Sequence, residues 1–240
     1  MRENFVRVED DTKIVIEHEP TAFGYSKKYS WLFSLFIKFD GLNEDADGYE
    51  EFLETKEALI IALEHEEKAK YVGSRMLDGW SELYFYAEDS KGLDTIVTHI
   101  LKDAGYLYES SVVRDGKWDF HYKNLLPNEL ELAHIQTQDI LELLKEEGDN
   151  LEHKREIEYY LSFETPTQKE RYIEEFIPKE FTFKDEISSD EFANGIALTK
   201  EDAPSQEILE ENVQKLHESV KKVHGYYEGW STTLADNKES

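Results

Sequence analysis

The chain has 240 residues, of which 39% are hydrophobic, 34% charged and 13% aromatic, with 12 Gly, 5 Pro and no Cys. This excludes collagen-like and Pro/Gly-rich disordered classes, and it excludes a disulfide scaffold, a thiolate zinc site and a cysteine nucleophile. Asp and Glu total 54 against 27 Lys and Arg, a formal net charge of -27; such a surface repels a phosphate backbone, attracts basic partners, and also serves simple solubility.

No apolar run approaches the ~20 residues of a membrane span; the longest is Trp31 to Phe39. Met1 to Asp11 carries acids where a signal peptide needs an apolar core. A cytoplasmic protein is expected.

Lys13 to Glu17 reads as a strand, with Ile14 and Ile16 on one side. In the next strand Trp31, Phe33, Leu35, Ile37 and Phe39 alternate onto one face. Asp40-Gly41 ends it. A helix over about Tyr49 to Glu66 follows, with Phe52, Leu59, Ile60 and Leu63 as its apolar stripe. Ala69 to Arg75 and Ser81 to Ala87 read as strands joined at the Asp78-Gly79 turn. The helix over about Lys91 to Ala104 stops at Gly105. Tyr106 to Val113 is a strand, and Trp118 to Tyr122 is expected to continue the sheet. Residues 30 to about 122 thus read β-α-β-β-α-β.

Glu129 to Glu147 reads as helical, with Leu132, Ile135, Ile140, Leu143 and Leu144 apolar. The pattern then repeats. Glu156 to Phe163 is a strand, and Thr165-Pro166-Thr167-Gln168 carries helix-start signals. Phe181 to Ile187 and Asn194 to Leu198 are strands. In the helix over about Pro204 to Val223, Leu209, Val213, Leu216, Val220 and Val223 form a seam. Tyr226 to Leu234 is the last strand. The expected architecture is α+β: two tandem ferredoxin-like domains, antiparallel sheets with helices on one face. The expected division is residues 1–132, a helical linker over 133–150, and residues 151–240.

Catalytic signatures are absent. There is no Gly-x-Ser-x-Gly, no Gly-x-Gly-x-x-Gly, no Walker-type loop and no His-Glu-x-x-His. The histidines are read as solvated surface groups. Asp45, Asp47 and Glu50 offer oxygen ligands to a divalent cation, but their spacing misses the EF-hand template. No catalytic residue, metal site or cofactor is assigned.

Two short phrases stand out. Asp78-Gly79-Trp80 and Tyr226-Tyr227-Glu228-Gly229-Trp230 each place an acid, Gly and Trp in order. One reading is a core Trp held behind a bulge. The other is a partly exposed aromatic anchor beside a carboxylate, which makes these eight residues candidate partner-binding positions.

The second phrase, preceded by an amphipathic helix and Gly225, resembles the closing motif of the bacterial regulator of ribonuclease activity B family. Arg155 to Phe163 resembles that family's first strand. The resemblance covers about residues 148–235. Residues 12–130 are similar to domain-of-unknown-function family 695, through the strand near Trp31, the Leu59-to-Glu66 helix end and the Gly73-to-Tyr86 hairpin. The resemblance implies a ferredoxin-like fold and a non-enzymatic cytoplasmic protein that binds ribonuclease E, or another RNA-processing assembly, by protein contact. The charge adds that the partner segment is basic. Two alternatives stay open: a carboxylate-rich, divalent-metal-dependent enzyme, and a self-associating structural module. Oligomeric state is not readable.

Overall fold

A computed structural model describes residues 2–39, 48–77, 79–188 and 193–235. Asp45 and Asp47 of the candidate cation loop, and Asp78, lie outside the described residues. The fold is α+β, with two antiparallel sheets. The chain divides into two compact units, Met1–Leu126 and Pro127–Ser240.

The first unit contains β1 (Glu3–Glu9), β2 (Thr12–His18), β3 (Trp31–Lys38), α1 (Tyr49–Glu64), β4 (Ala69–Leu77), β5 (Trp80–Ala87), α2 (Leu93–Ala104) and β6 (Tyr108–Arg114). Its strand order is β1-β2-β4-β5-β3-β6. The period-two strand and the helical stripes meet in one core. Phe33, Leu35 and Ile37 of β3 pack with Phe52, Leu59, Ile60 and Leu63 of α1 and with Leu93, Val97 and Leu101 of α2. Each of these side chains is almost wholly removed from water, which is the main favourable term in folding the unit. Gly105 ends α2 in the left-handed conformation, donating its N–H to Leu101 O.

Two differences from the sequence expectation arise here. β1 was not expected, because Phe5 is its one buried residue and an edge strand carries little alternation. Trp118 to Tyr122 does not extend the sheet. Trp118 has φ +59, and residues 121–125 form a single π-helical turn. The segment instead covers the sheet's second face. Trp118 stacks on Tyr86 at 4.0 Å and donates its indole N–H to Tyr29 O at 2.8 Å. Arg7 on β1 donates to Lys123, Asn124 and Leu126 carbonyls, satisfying the end of that turn.

The second unit contains α3 (Glu129–Glu146), β7 (Arg155–Ser162), α4 (Pro166–Glu175), β8 (Thr182–Ile187), β9 (Gly195–Asp202), α5 (Gln206–Lys221) and β10 (Tyr226–Thr232). Its strand order is β10-β7-β9-β8. Ile157, Tyr159 and Leu161 of β7 face Tyr172 of α4 and Leu209, Leu216 and Val220 of α5 in one core. The expected start of α4 is present: Thr165 and Gln168 satisfy one another's backbone N–H, with Pro166 in the first turn. A polar hub is buried among these apolar groups. Asn212 accepts from Lys200 at 2.8 Å and donates to the Tyr159 hydroxyl at 3.0 Å.

α3 packs on the second unit. Asn128 and Glu131 form a reciprocal cap at its start. Its most buried positions are Ala133, Thr137 and Leu141; of the expected stripe, Ile140 and Leu144 pack against the core, whereas Leu132 and Leu143 are exposed. The shift follows from what α3 covers, since Thr137 lies over the Trp230 indole.

Candidate functional site

The Tyr226–Trp230 phrase forms most of β10, the edge strand of the second sheet. β10 pairs with β7, and a bulge lies between Tyr227 and Gly229. The extra residue resets the alternation. Tyr227 stands opposite Leu161 and Trp230 opposite Tyr159, so both face the core, while Gly229 stands opposite Tyr160 on the sheet's other face.

Gly229 has φ +135, which side-chain-bearing residues rarely adopt, and a Cβ added there would meet nothing within 4 Å. Backbone geometry demands this glycine, and the space above it is open. Gly225 differs. A Cβ there would lie 2.6 Å from Val220 Cγ2 and 2.8 Å from the Phe163 ring, so close packing demands that glycine. The left-handed residue that ends α5 is His224, with φ +59.

Trp230 is not a surface anchor. It is 5% exposed and donates its N–H to Thr137 Oγ1 at 3.2 Å. An indole is buried only when that N–H finds a partner, and α3 supplies it. Tyr227 packs on the same core, and its hydroxyl is buried without a hydrogen-bond partner among the described residues. Burial, and then the nearby Tyr159, push that hydroxyl's pKa well above the ordinary tyrosine range. Tyr226 is 40% exposed, donates to Glu164 at 3.0 Å and lies under Lys221. Glu228 is exposed and accepts from Ser162.

In the first unit, Gly79 has φ +79 in the β4–β5 turn, and Trp80 is half-buried between Leu77 and Lys38 as register partners. The two phrases therefore lie in different units and differ in exposure.

Beside β10 lies a groove whose other wall is α3. Its larger part, about 330 Å³, is bounded by Gln136, Asp139 and Ile140 of α3, by Glu228 and Gly229, and by Tyr160. A second part, about 220 Å³, adjoins it at Gln136, Tyr227 and Glu228 and ends at Glu129 and His217. At that end Glu129 contacts Lys221 and lies 3.6 Å from His217. The hydrogen bond to Lys221 holds the Glu129 carboxyl below its ordinary pKa. Sequence reasoning missed Gln136, Asp139 and Tyr160. Tyr160 was available from the alternation that assigned Tyr159 and Leu161 inward, since period two puts Tyr160 on the opposite face.

Two histidines depart from the expected surface role: His18 and His121 are 5% and 2% exposed. Burial, helped by His18 and opposed by Asp115, pushes His121 down to about 4. Among the described residues, no group of three or more His, Asp or Glu is arranged to hold a metal ion. Nor is any described helix long and apolar enough to cross a membrane.

Residues 134–232 match the family described as regulator of ribonuclease activity B, and residues 10–127 match a family of unknown function (DUF695). The chain carries these two family regions in that order. No match is found among curated proteins. The resemblance drawn from the closing phrase and the β7 sequence is thereby borne out, and the regulator region extends further back, to include most of α3. β10 and the Gln136, Asp139 and Ile140 part of the α3 wall lie within it. The family is one of regulators of ribonuclease activity.

Proposed function

We propose that this protein is a non-enzymatic, cytoplasmic regulator that restrains a ribonuclease or RNA-processing assembly through protein contact, and that it engages a basic segment of its target. The match of residues 134–232 to the regulator family carries this reading. The net charge of -27 supports a cationic partner, because complementary fields raise the association rate and repel nucleic acid. The eight residues Asp78, Gly79, Trp80, Tyr226, Tyr227, Glu228, Gly229 and Trp230 enter it unequally: Tyr226 and Glu228 as contacts, Gly229 and Trp230 as the frame that presents them. In the first unit Trp80 is the contact candidate.

Within this reading each unit is a ferredoxin-like module. In each β-α-β-β-α-β series the first and third strands are central and hydrogen-bonded, which is the order this arrangement requires. The β1–β2 hairpin is then an addition to the edge of the first module.

The test is direct. The purified chain is added to purified ribonuclease E cleaving a structured RNA, at low and at moderate salt. Slower cleavage with co-sedimentation of the two proteins, both weakening as salt rises, is the expected result. Unchanged cleavage and no association at low salt would remove the proposal.

A further inference from the structure

The second sheet has two edges, and they are guarded differently. On the β8 edge, Lys169 contacts Glu186, and Lys184 reaches across β9 to bridge Glu156 and Glu158 of β7 at 2.6 Å each. β8 itself carries Lys184, Asp185 and Glu186, and charged side chains of this kind discourage strand pairing. The β10 edge has α3 beside it, with the groove between. At its Tyr226 end the Glu129 charge is met by Lys221. At its Trp230 end, Asp139 and Glu228 line the same cavity, both are exposed, and neither has a salt-bridge partner among the described residues. Tyr160 borders that cavity, its hydroxyl held by Ser231 at 2.7 Å. Gly229, between these groups, leaves the space above it open.

We propose that this groove receives an extended, positively charged segment of the partner protein, laid along β10 with one cationic side chain above Gly229. That side chain meets Asp139 and Glu228 and lies against the Tyr160 ring, which a guanidinium favours over an ammonium. Tyr226 to Thr232 spans roughly 20 Å at about 3.3 Å per residue, enough for a short segment. Main-chain pairing occurs outside the bulge, where β10 keeps an unpaired edge. The inference rests on the regulator reading for the partner being a protein, and goes beyond it in naming the surface, the posture of the bound segment and the carboxylates that hold it.

The probe is a labelled peptide of alternating arginine and threonine, titrated into the full chain by fluorescence anisotropy. A glutamate–threonine peptide is the charge control. The Asp139→Asn, Glu228→Gln double variant is expected to weaken arginine-peptide binding about tenfold. The Glu170→Gln, Glu174→Gln variant on α4 removes equal charge and is expected to change binding less than about twofold. A lysine–threonine peptide is expected to bind more weakly than the arginine peptide. Amide shifts on titration are expected in residues 133–140 and 226–232. Equal weakening by both double variants, shifts elsewhere, or no binding of the arginine peptide would each overturn the groove assignment. So would a concentration-dependent dimer that the Asp139, Glu228 variant disrupts, because the occupant would then be a second copy of the chain. Ribonuclease E association is measured with the same proteins. If wild type and the Asp139, Glu228 variant bind the nuclease equally, the groove fails while the regulator reading stands. If the peptide binds in the groove and the nuclease does not bind at all, the reverse holds.

Discussion

Replacing Trp230 with alanine separates a core role from a contact role for the regulator region's closing phrase. The side chain is 5% exposed, packs with Tyr159 and Leu161, and hydrogen-bonds Thr137. Truncating a buried Trp costs about 3–5 kcal/mol through lost transfer energy and the cavity left behind. The lost hydrogen bond lies within that figure, and Thr137 Oγ1 is not stranded because it donates to Ala133 O at 2.8 Å. Against the roughly 5–15 kcal/mol that stabilises a typical domain, this is a large fraction. With a urea dependence of about 2 kcal/mol per molar, the second unit's midpoint falls by roughly 2 M. The assay is urea unfolding followed by far-UV circular dichroism, since three other tryptophans complicate fluorescence. The milder Trp230→Phe variant, crossed with Thr137→Val, is expected to show a coupling of about 0.5–1.5 kcal/mol. A loss below about 1 kcal/mol for Trp230→Ala, together with abolished nuclease binding, would refute the core assignment.

Three further outcomes test other parts of the structure. Gly225→Ala puts a methyl 2.6 Å from Val220 and 2.8 Å from Phe163, and is expected to destabilise by about 1–3 kcal/mol in the same urea assay. Asn212→Leu leaves the Tyr159 hydroxyl without its buried partner, while Lys200 keeps Asp202 at 2.7 Å, and a loss of about 1–3 kcal/mol is expected; a neutral result would mean that water replaces the amide. His121 is held neutral, with its pKa lowered to about 4 from an unfolded value of 6.5. Between these values the unfolded chain binds more protons, so the first unit's stability is fully present above the unfolded value and falls as the pH drops toward about 4. The slope is at most about 1.4 kcal/mol per pH unit for one proton. His121→Phe keeps a ring against Trp118 and is expected to flatten that slope, read from thermal unfolding at several pH values.

The order of strands and helices was legible because it depends on short-range pattern. Alternation in Trp31 to Phe39, the Leu209-to-Val223 seam and the Thr165–Gln168 cap each act within a few residues, and each stands where the pattern puts it. The regulator resemblance was legible for the same reason, in a contiguous phrase. Tertiary structure alone decided which Trp is core, because Trp230 is buried by a helix that begins about a hundred residues earlier in the chain and supplies Thr137. It alone placed Trp118 under the sheet, through a left-handed backbone that no periodicity reports. It alone set Tyr160, Asp139 and Glu228 around one opening, since a bulge and an empty glycine created that opening. Local residue spacing encodes which face of an element is apolar; what that face meets is settled only when distant segments compete to exclude water from the same surface.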